Sequence, residues 1–155
     1  MEIITGRLYH IKDEYFDRVN DKGLLINHEN GHSRPSYLAI KDNNILWFIP
    51  LSTQVDKYKK IIDNKIKKYG KCNTIMIAPI GDKDVAILIQ NAFPTIEKYI
   101  SNEHIVNDKP LIITKGVSRL IINNFKSILR LKELGNNLFF TNIDKIKQMM
   151  LDDLK

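Results

Sequence analysis

Two hydroxyl residues followed at once by a lysine-rich stretch, Ser52-Thr53-Gln54-Val55-Asp56-Lys57-Tyr58-Lys59-Lys60, are the residues best suited to chemistry. An apolar run ends at Pro50 just before them. A helix starting there offers unpaired N–H groups and the positive end of its dipole, which together favour an anion. Ser52 and Thr53 can donate to a phosphoryl oxygen, and Lys57 or Lys59 can offset its charge, with Lys60 extending the basic face. A plainer assignment also fits: one hydroxyl caps the helix, and the lysines are its solvated side. Upstream, His28-Glu29-Asn30-Gly31-His32-Ser33-Arg34 leads into a strand whose hairpin partner ends at Pro50, which brings Arg34 toward Ser52 and Thr53. Its planar donor fork suits a phosphate clamp, although a plain surface arginine is the alternative. Tyr9, Tyr37 and Tyr58 could stack on nucleobases, or could pack as half-buried strand and helix residues.

Other signatures are missing. No Gly-x-x-x-x-Gly-Lys phosphate loop and no Gly-x-Ser-x-Gly elbow occur. His28 and His32 are four apart, but they stand in a Gly- and Asn-containing loop without the acidic neighbour of a metalloprotease helix. They read as exposed loop histidines, and neither a metal nor a cofactor is expected. A single cysteine, Cys72, excludes an intramolecular disulfide and a cysteine-based zinc cluster. The formal net charge of +6 and pI near 9.3 favour a polyanionic partner such as nucleic acid. No signal peptide or membrane-length apolar run is legible, so a soluble, cytoplasmic protein without a membrane partner is expected.

The elements that must position these residues follow from the pattern. With 155 residues, 43% of them hydrophobic, one domain spanning residues 1–155 with a substantial core is expected. A first strand covers residues 6–11, then a short helix through Glu14-Tyr15-Phe16, and residues 27–34 read as a loop around Gly31. Residues 36–40 and 45–49 flank Asp42-Asn43-Asn44 as one hairpin, and residues 74–78 and 85–89 flank Gly81-Asp82-Lys83-Asp84 as a second. These runs are apolar throughout, as strands of a small closed barrel covered by helices would be. Apolar residues at steps of three and four predict helices over 54–69, ended by Gly70, and over about 117–134, ended by Gly135. A third helix opens at Thr141-Asn142-Ile143-Asp144, which has capping-box spacing with Asp in the Glu place.

Three segments carry a family resemblance: Gly6-Arg7-Leu8-Tyr9-His10-Ile11-Lys12-Asp13-Glu14-Tyr15-Phe16; Arg34-Pro35-Ser36-Tyr37 through Pro50-Leu51-Ser52-Thr53 to Lys57-Tyr58; and Leu88-Ile89-Gln90-Asn91-Ala92-Phe93-Pro94. In this order they resemble the toxin proteins of bacterial type III toxin–antitoxin systems, the ToxN/AbiQ family, and CptN-like members in particular. The resemblance implies an α+β fold: a compact, strongly curved antiparallel sheet or barrel of the Kid/MazF kind, with inserted and C-terminal helices. It implies a metal-independent endoribonuclease acting on cellular RNA, neutralised by a small structured RNA antitoxin within a closed protein–RNA assembly. It places cleavage at Ser52, Thr53 and a lysine, Lys57 or Lys59, with Arg34 as the contributing basic residue. No histidine matches a catalytic position. Lys57 is taken as the charge stabiliser for attack of the 2′-OH on the adjacent phosphorus, which leaves a 2′,3′-cyclic phosphate. A non-catalytic RNA-binding module using the same basic surface is the competing reading.

Overall fold

The computed structural model describes residues 1–29 and 31–155. In chain order the elements are β1 (Leu8–Ile11), α1 (Asp13–Val19), β2 (His28–Glu29), β3 (His32–Ser33), β4 (Pro35–Asp42), β5 (Ile45–Ser52) and α2 (Val55–Tyr69). There follow β6 (Met76–Ile80), β7 (Lys83–Ile87), β8 (Phe93–Thr95), β9 (Ile100–Glu103), β10 (Ile105–Val106), β11 (Lys109–Pro110), α3 (Lys115–Glu133) and α4 (Ile143–Asp153).

The expected hairpins are present, and their turns explain them. Asp42 pairs with Ile45, so β4 and β5 are joined by Asn43-Asn44, with Asn43 at φ 54°. Asparagine tolerates this left-handed conformation better than most residues. Ile80 pairs with Lys83 in the β6–β7 hairpin, where Gly81 takes φ 68°. The helices end as read: Gly70 caps α2 at φ 81°, and Gly135 follows α3 at φ 93°. The start of α4 differs by one residue. Its cap is Asn142, which accepts from Lys145 N–H, because the Thr141 hydroxyl is committed to the Ala92 carbonyl 2.6 Å away. The stretch read as a loop over 27–34 holds a miniature hairpin instead, with His28 opposite Ser33 and Glu29 opposite His32; Asn30 lies outside the described residues.

The main sheet is antiparallel in the order β6-β7-β5-β4-β1-β9. β5 is its centre and is buried along its whole length, pairing with β4 on one side. On the other side its first half takes β8 and its end takes β7. Among the described residues β6 and β9 do not pair with each other, so the sheet is open and the closed barrel expected from the strands is not formed. Apolar strands cannot distinguish the two outcomes, because helices cover an open sheet as well as a closed one. The edge strand β6 carries Pro79, which has no N–H to donate to a further strand.

Burial of apolar side chains holds these layers together. Tyr15, Phe16, Phe48 and Phe93 form an aromatic cluster under α1, and Trp47, Phe125 and Phe139 join β5 to α3. Each fully buried Phe, Leu or Ile contributes about 1.5–3 kcal/mol. Polar staples add direction. Gly23 N–H donates to Asp21 Oδ1 at 2.7 Å and its carbonyl accepts from Asn91 Nδ2 at 2.9 Å. Asp21 Oδ2 accepts from Asn142 N–H at the head of α4. The segment between α1 and β2 is thereby tied to the body just before it delivers Glu29.

No helix is long and apolar enough to cross a membrane, among the described residues.

Candidate RNA-cleavage site

The end of β5 delivers Ser52, which is buried, and Thr53, which is exposed; the helix α2 begins two residues later. Its cap position is Gln54, which makes no side-chain cap hydrogen bond. Ser52 Oγ accepts from Gln54 N–H at 3.2 Å but also points its own proton elsewhere, so neither hydroxyl serves simply as the cap.

Both hydroxyls converge on one carboxylate. Thr53 Oγ1 donates to Glu29 Oε1 at 2.7 Å, and Thr53 N–H reaches the same oxygen at 3.2 Å. Ser52 Oγ donates to Glu29 Oε2 at 3.2 Å. Arg34 completes the set with Nη1 at 2.7 Å from Glu29 Oε2, while it also donates to the Leu51 carbonyl at 2.9 Å and, through Nε, to the Ile26 carbonyl at 3.1 Å. The juxtaposition of Arg34 with the hydroxyl pair is therefore as the hairpin arithmetic requires: Ser36 pairs with Pro50, which places Arg34 beside the end of β5. Four donors form a cradle around a single carboxylate, the kind of donor set that would also suit a phosphoryl group. Burial pushes the Glu29 carboxyl pKa up, but the Thr53 hydroxyl and N–H and the Arg34 charge outweigh it, leaving the group below its ordinary value. Sequence reasoning passed over Glu29 because Ser52 and Thr53, two of its partners, lie 23 and 24 residues away.

Lys57 stands in the first turn of α2 and is exposed, with its Nζ resting 5.3 Å from the centre of the Tyr58 ring. Lys59 and Lys60 are also exposed, and Lys59 lines a groove with Ile62, Asp63, Cys72, Ile75 and Met76. Among the described residues, none of these three ammonium groups makes a hydrogen bond or ion pair with Ser52, Thr53 or Glu29.

The tyrosines correct the sequence reading. Tyr9 and Tyr37 are wholly buried strand residues, and Tyr58 packs with Ile75, Ala86 and Leu88 under α2. Tyr9 Oη is held by Ile4 N–H at 2.8 Å. None of the three rings is open to a base, because Tyr9 and Tyr37 lie on the core side of the sheet and Tyr58 is packed between α2 and the sheet. His28 is likewise engaged, 2.7 Å from Asp13.

A second polar chain adjoins the cradle. Ser33 Oγ lies 2.6 Å from His10 Nδ1, and His10 Nε2 lies 2.8 Å from His104 Nδ1. One proton serves the ring-to-ring bond, so the pair is stable only while at least one ring is neutral. Burial lowers both pKa values below 6.5, and the neighbouring His104 lowers that of His10 further against an opposing bond from Ser33. In the unfolded chain these histidines take up protons near pH 6.5, so the unfolded state binds more protons than the folded one below that pH. Their contribution is therefore intact above about pH 6.5 and is lost as pH falls through that value toward the depressed folded pKa values. Melting temperature is expected to drop between pH 7.5 and 5.5, and the slope to flatten in His104→Gln. An unchanged slope in that variant would remove the pair as its cause.

Comparison with known proteins bears on the fold. No protein-family model and no curated protein matches the sequence. Among solved structures, AbiQ, a lactococcal anti-phage endoribonuclease belonging to the type III toxin–antitoxin system, superposes with a TM-score of 0.70 at 16% identity. The match covers 98% of this chain and 100% of AbiQ. The resemblance carried by the three sequence segments is thus met by the architecture, and the chain shares the AbiQ fold over nearly its whole length.

Proposed function

We propose that this chain is a metal-independent endoribonuclease toxin of a type III toxin–antitoxin system, acting in the cytoplasm in phage defence and silenced by a small structured RNA. The observation that carries the reading is the convergence of Ser52, Thr53 and Arg34 on one anionic group at the head of a lysine-rich helix, on the AbiQ fold. RNA supplies its own nucleophile. The enzyme has to hold the 2′-oxygen in line with the phosphorus, about 3 Å away, and to stabilise charge gathering on the phosphoryl oxygens. Arg34 and the two hydroxyls, with Thr53 N–H, suit the phosphoryl oxygens, and Lys57 suits the developing charge. Lys57 takes precedence over Lys59 because it lies in the turn that opens at the cradle, whereas Lys59 belongs to the groove beside β6.

The antitoxin RNA would cover the same cradle and run over the lysines of α2 and α3 in a closed protein–RNA assembly. That contact should weaken with salt as counterions are released.

A long single-stranded RNA incubated with antitoxin-free protein in EDTA tests the reading. Discrete cuts ending in 2′,3′-cyclic phosphate are expected. Binding of that RNA by folded protein with no cutting would identify a non-catalytic RNA-binding module instead.

A further inference from the structure

We infer that Glu29 is the general base that takes the proton of the attacking 2′-OH, an inference that rests on the ribonuclease reading above. The two hydroxyls and Arg34 can hold a phosphate, but none of them can accept a proton readily at neutral pH. Guanidinium and ammonium groups have no lone pair to offer, His28 is engaged with Asp13, and both ring nitrogens of His10 are taken, by Ser33 and His104. Among the described residues, Glu29 is the carboxylate in direct contact with the cradle, and it touches all three of the residues that would bind the phosphoryl group.

In the free protein its four acceptor positions are filled: Thr53 Oγ1 and N–H on one oxygen, Ser52 Oγ and Arg34 Nη1 on the other. A carboxylate so held is a weak base. An arriving phosphodiester competes for those same donors. As they turn to the phosphoryl oxygens, Glu29 loses the bonds that favour its charged form and gains a negative neighbour. Both changes raise its proton affinity toward the range useful for catalysis. Substrate binding thus makes the base, and leaves it beside the sugar whose hydroxyl must be deprotonated.

The small β2–β3 hairpin suits this exchange. It has two residues per strand, and Arg34 N–H bonds back to the Asn27 carbonyl at its root, so Glu29 is carried on a short arm anchored at its base.

The step balances without a change of oxidation state. The 2′-O–H bond breaks and its proton passes to a Glu29 oxygen; the 2′-O–P bond forms as the P–O5′ bond breaks. The departing 5′-oxygen takes a proton from solvent, and Glu29 afterwards returns its own to water.

Single-turnover cleavage of one RNA in EDTA by wild type, Glu29→Gln and Glu29→Asp tests the assignment, alongside RNA affinity and melting temperature. Glu29→Gln is expected to cleave about 10²–10⁴-fold more slowly while binding RNA as tightly or more tightly. The acid limb of the wild-type rate profile should vanish with it, and Glu29→Asp should recover part of the rate. Wild-type or faster cleavage by Glu29→Gln would overturn the inference and make Glu29 only an occupant of the cradle. Parallel loss of binding and cleavage, or an unchanged acid limb, would make it a structural partner of Arg34. If Glu29→Gln does not fold, the acid limb and Glu29→Asp decide. Inactive wild type would instead overturn the ribonuclease reading itself.

Discussion

Thr53→Ala and Lys57→Ala are each expected to lose RNA cleavage by about 10²-fold or more, the scale of removing one preorganised donor from developing charge, while RNA binding changes little. Thr53 supplies two donors to the anion position, but the substitution removes only Oγ1 and keeps the N–H. Lys57 is exposed, and among the described residues its Nζ makes no hydrogen bond or ion pair, resting instead near the Tyr58 ring, so its loss should leave the fold intact. The basic face also retains Lys59, Lys60 and the rest of α2, which is why affinity should survive. Single-turnover rates and a filter-binding isotherm on the same RNA separate the two quantities. Full rates in both variants would remove the site from the end of β5, and a full rate in Lys57→Ala with loss in Lys59→Ala would move the charge stabiliser to Lys59, beyond the first turn of α2.

Gly23→Ala should be the most destabilising conservative change outside the site, by about 3 kcal/mol, at or beyond the upper end for overpacking. A Cβ at this position would stand 2.6 Å from Thr141 N and nearer still to the Phe140 carbonyl. These are backbone atoms, which cannot swing aside as a flexible side chain can. Phe140 N–H is already bonded to the Gln90 carbonyl at 2.8 Å and Thr141 Oγ1 to the Ala92 carbonyl, so relief would break bonds on both sides. Urea denaturation should show a lower midpoint with an unchanged slope. A midpoint equal to wild type would mean that this approach relaxes at little cost.

What was legible in the sequence was local. The β4–β5 turn at Asn43-Asn44 and the stop at Gly70 each depend on a few neighbouring residues with special backbone preferences. Placement of Arg34 next to the hydroxyl pair followed from hairpin geometry, which is nearly as local. Failures came where distant partners decide. Thr141 looked like a helix cap until the Ala92 carbonyl, 49 residues away, claimed its hydroxyl. Tyr9, Tyr37 and Tyr58 have the composition of stacking residues, but whether a ring faces solvent depends on which layer covers it. Glu29 stands within a stretch that reads as basic, and only the folded chain joins it to Ser52, Thr53 and Arg34.

An open sheet also has a bearing on how copies of the chain can be brought together. Its β6 rim is an invitation to strand addition by a second molecule, the route by which many β-proteins polymerise. Pro79 interrupts that rim by withholding an N–H, and α2 packs beside the same strand. Fibrous self-association through this rim is therefore disfavoured. If the proposed RNA antitoxin bridges several copies, it would set their spacing without competition from the protein's own backbone.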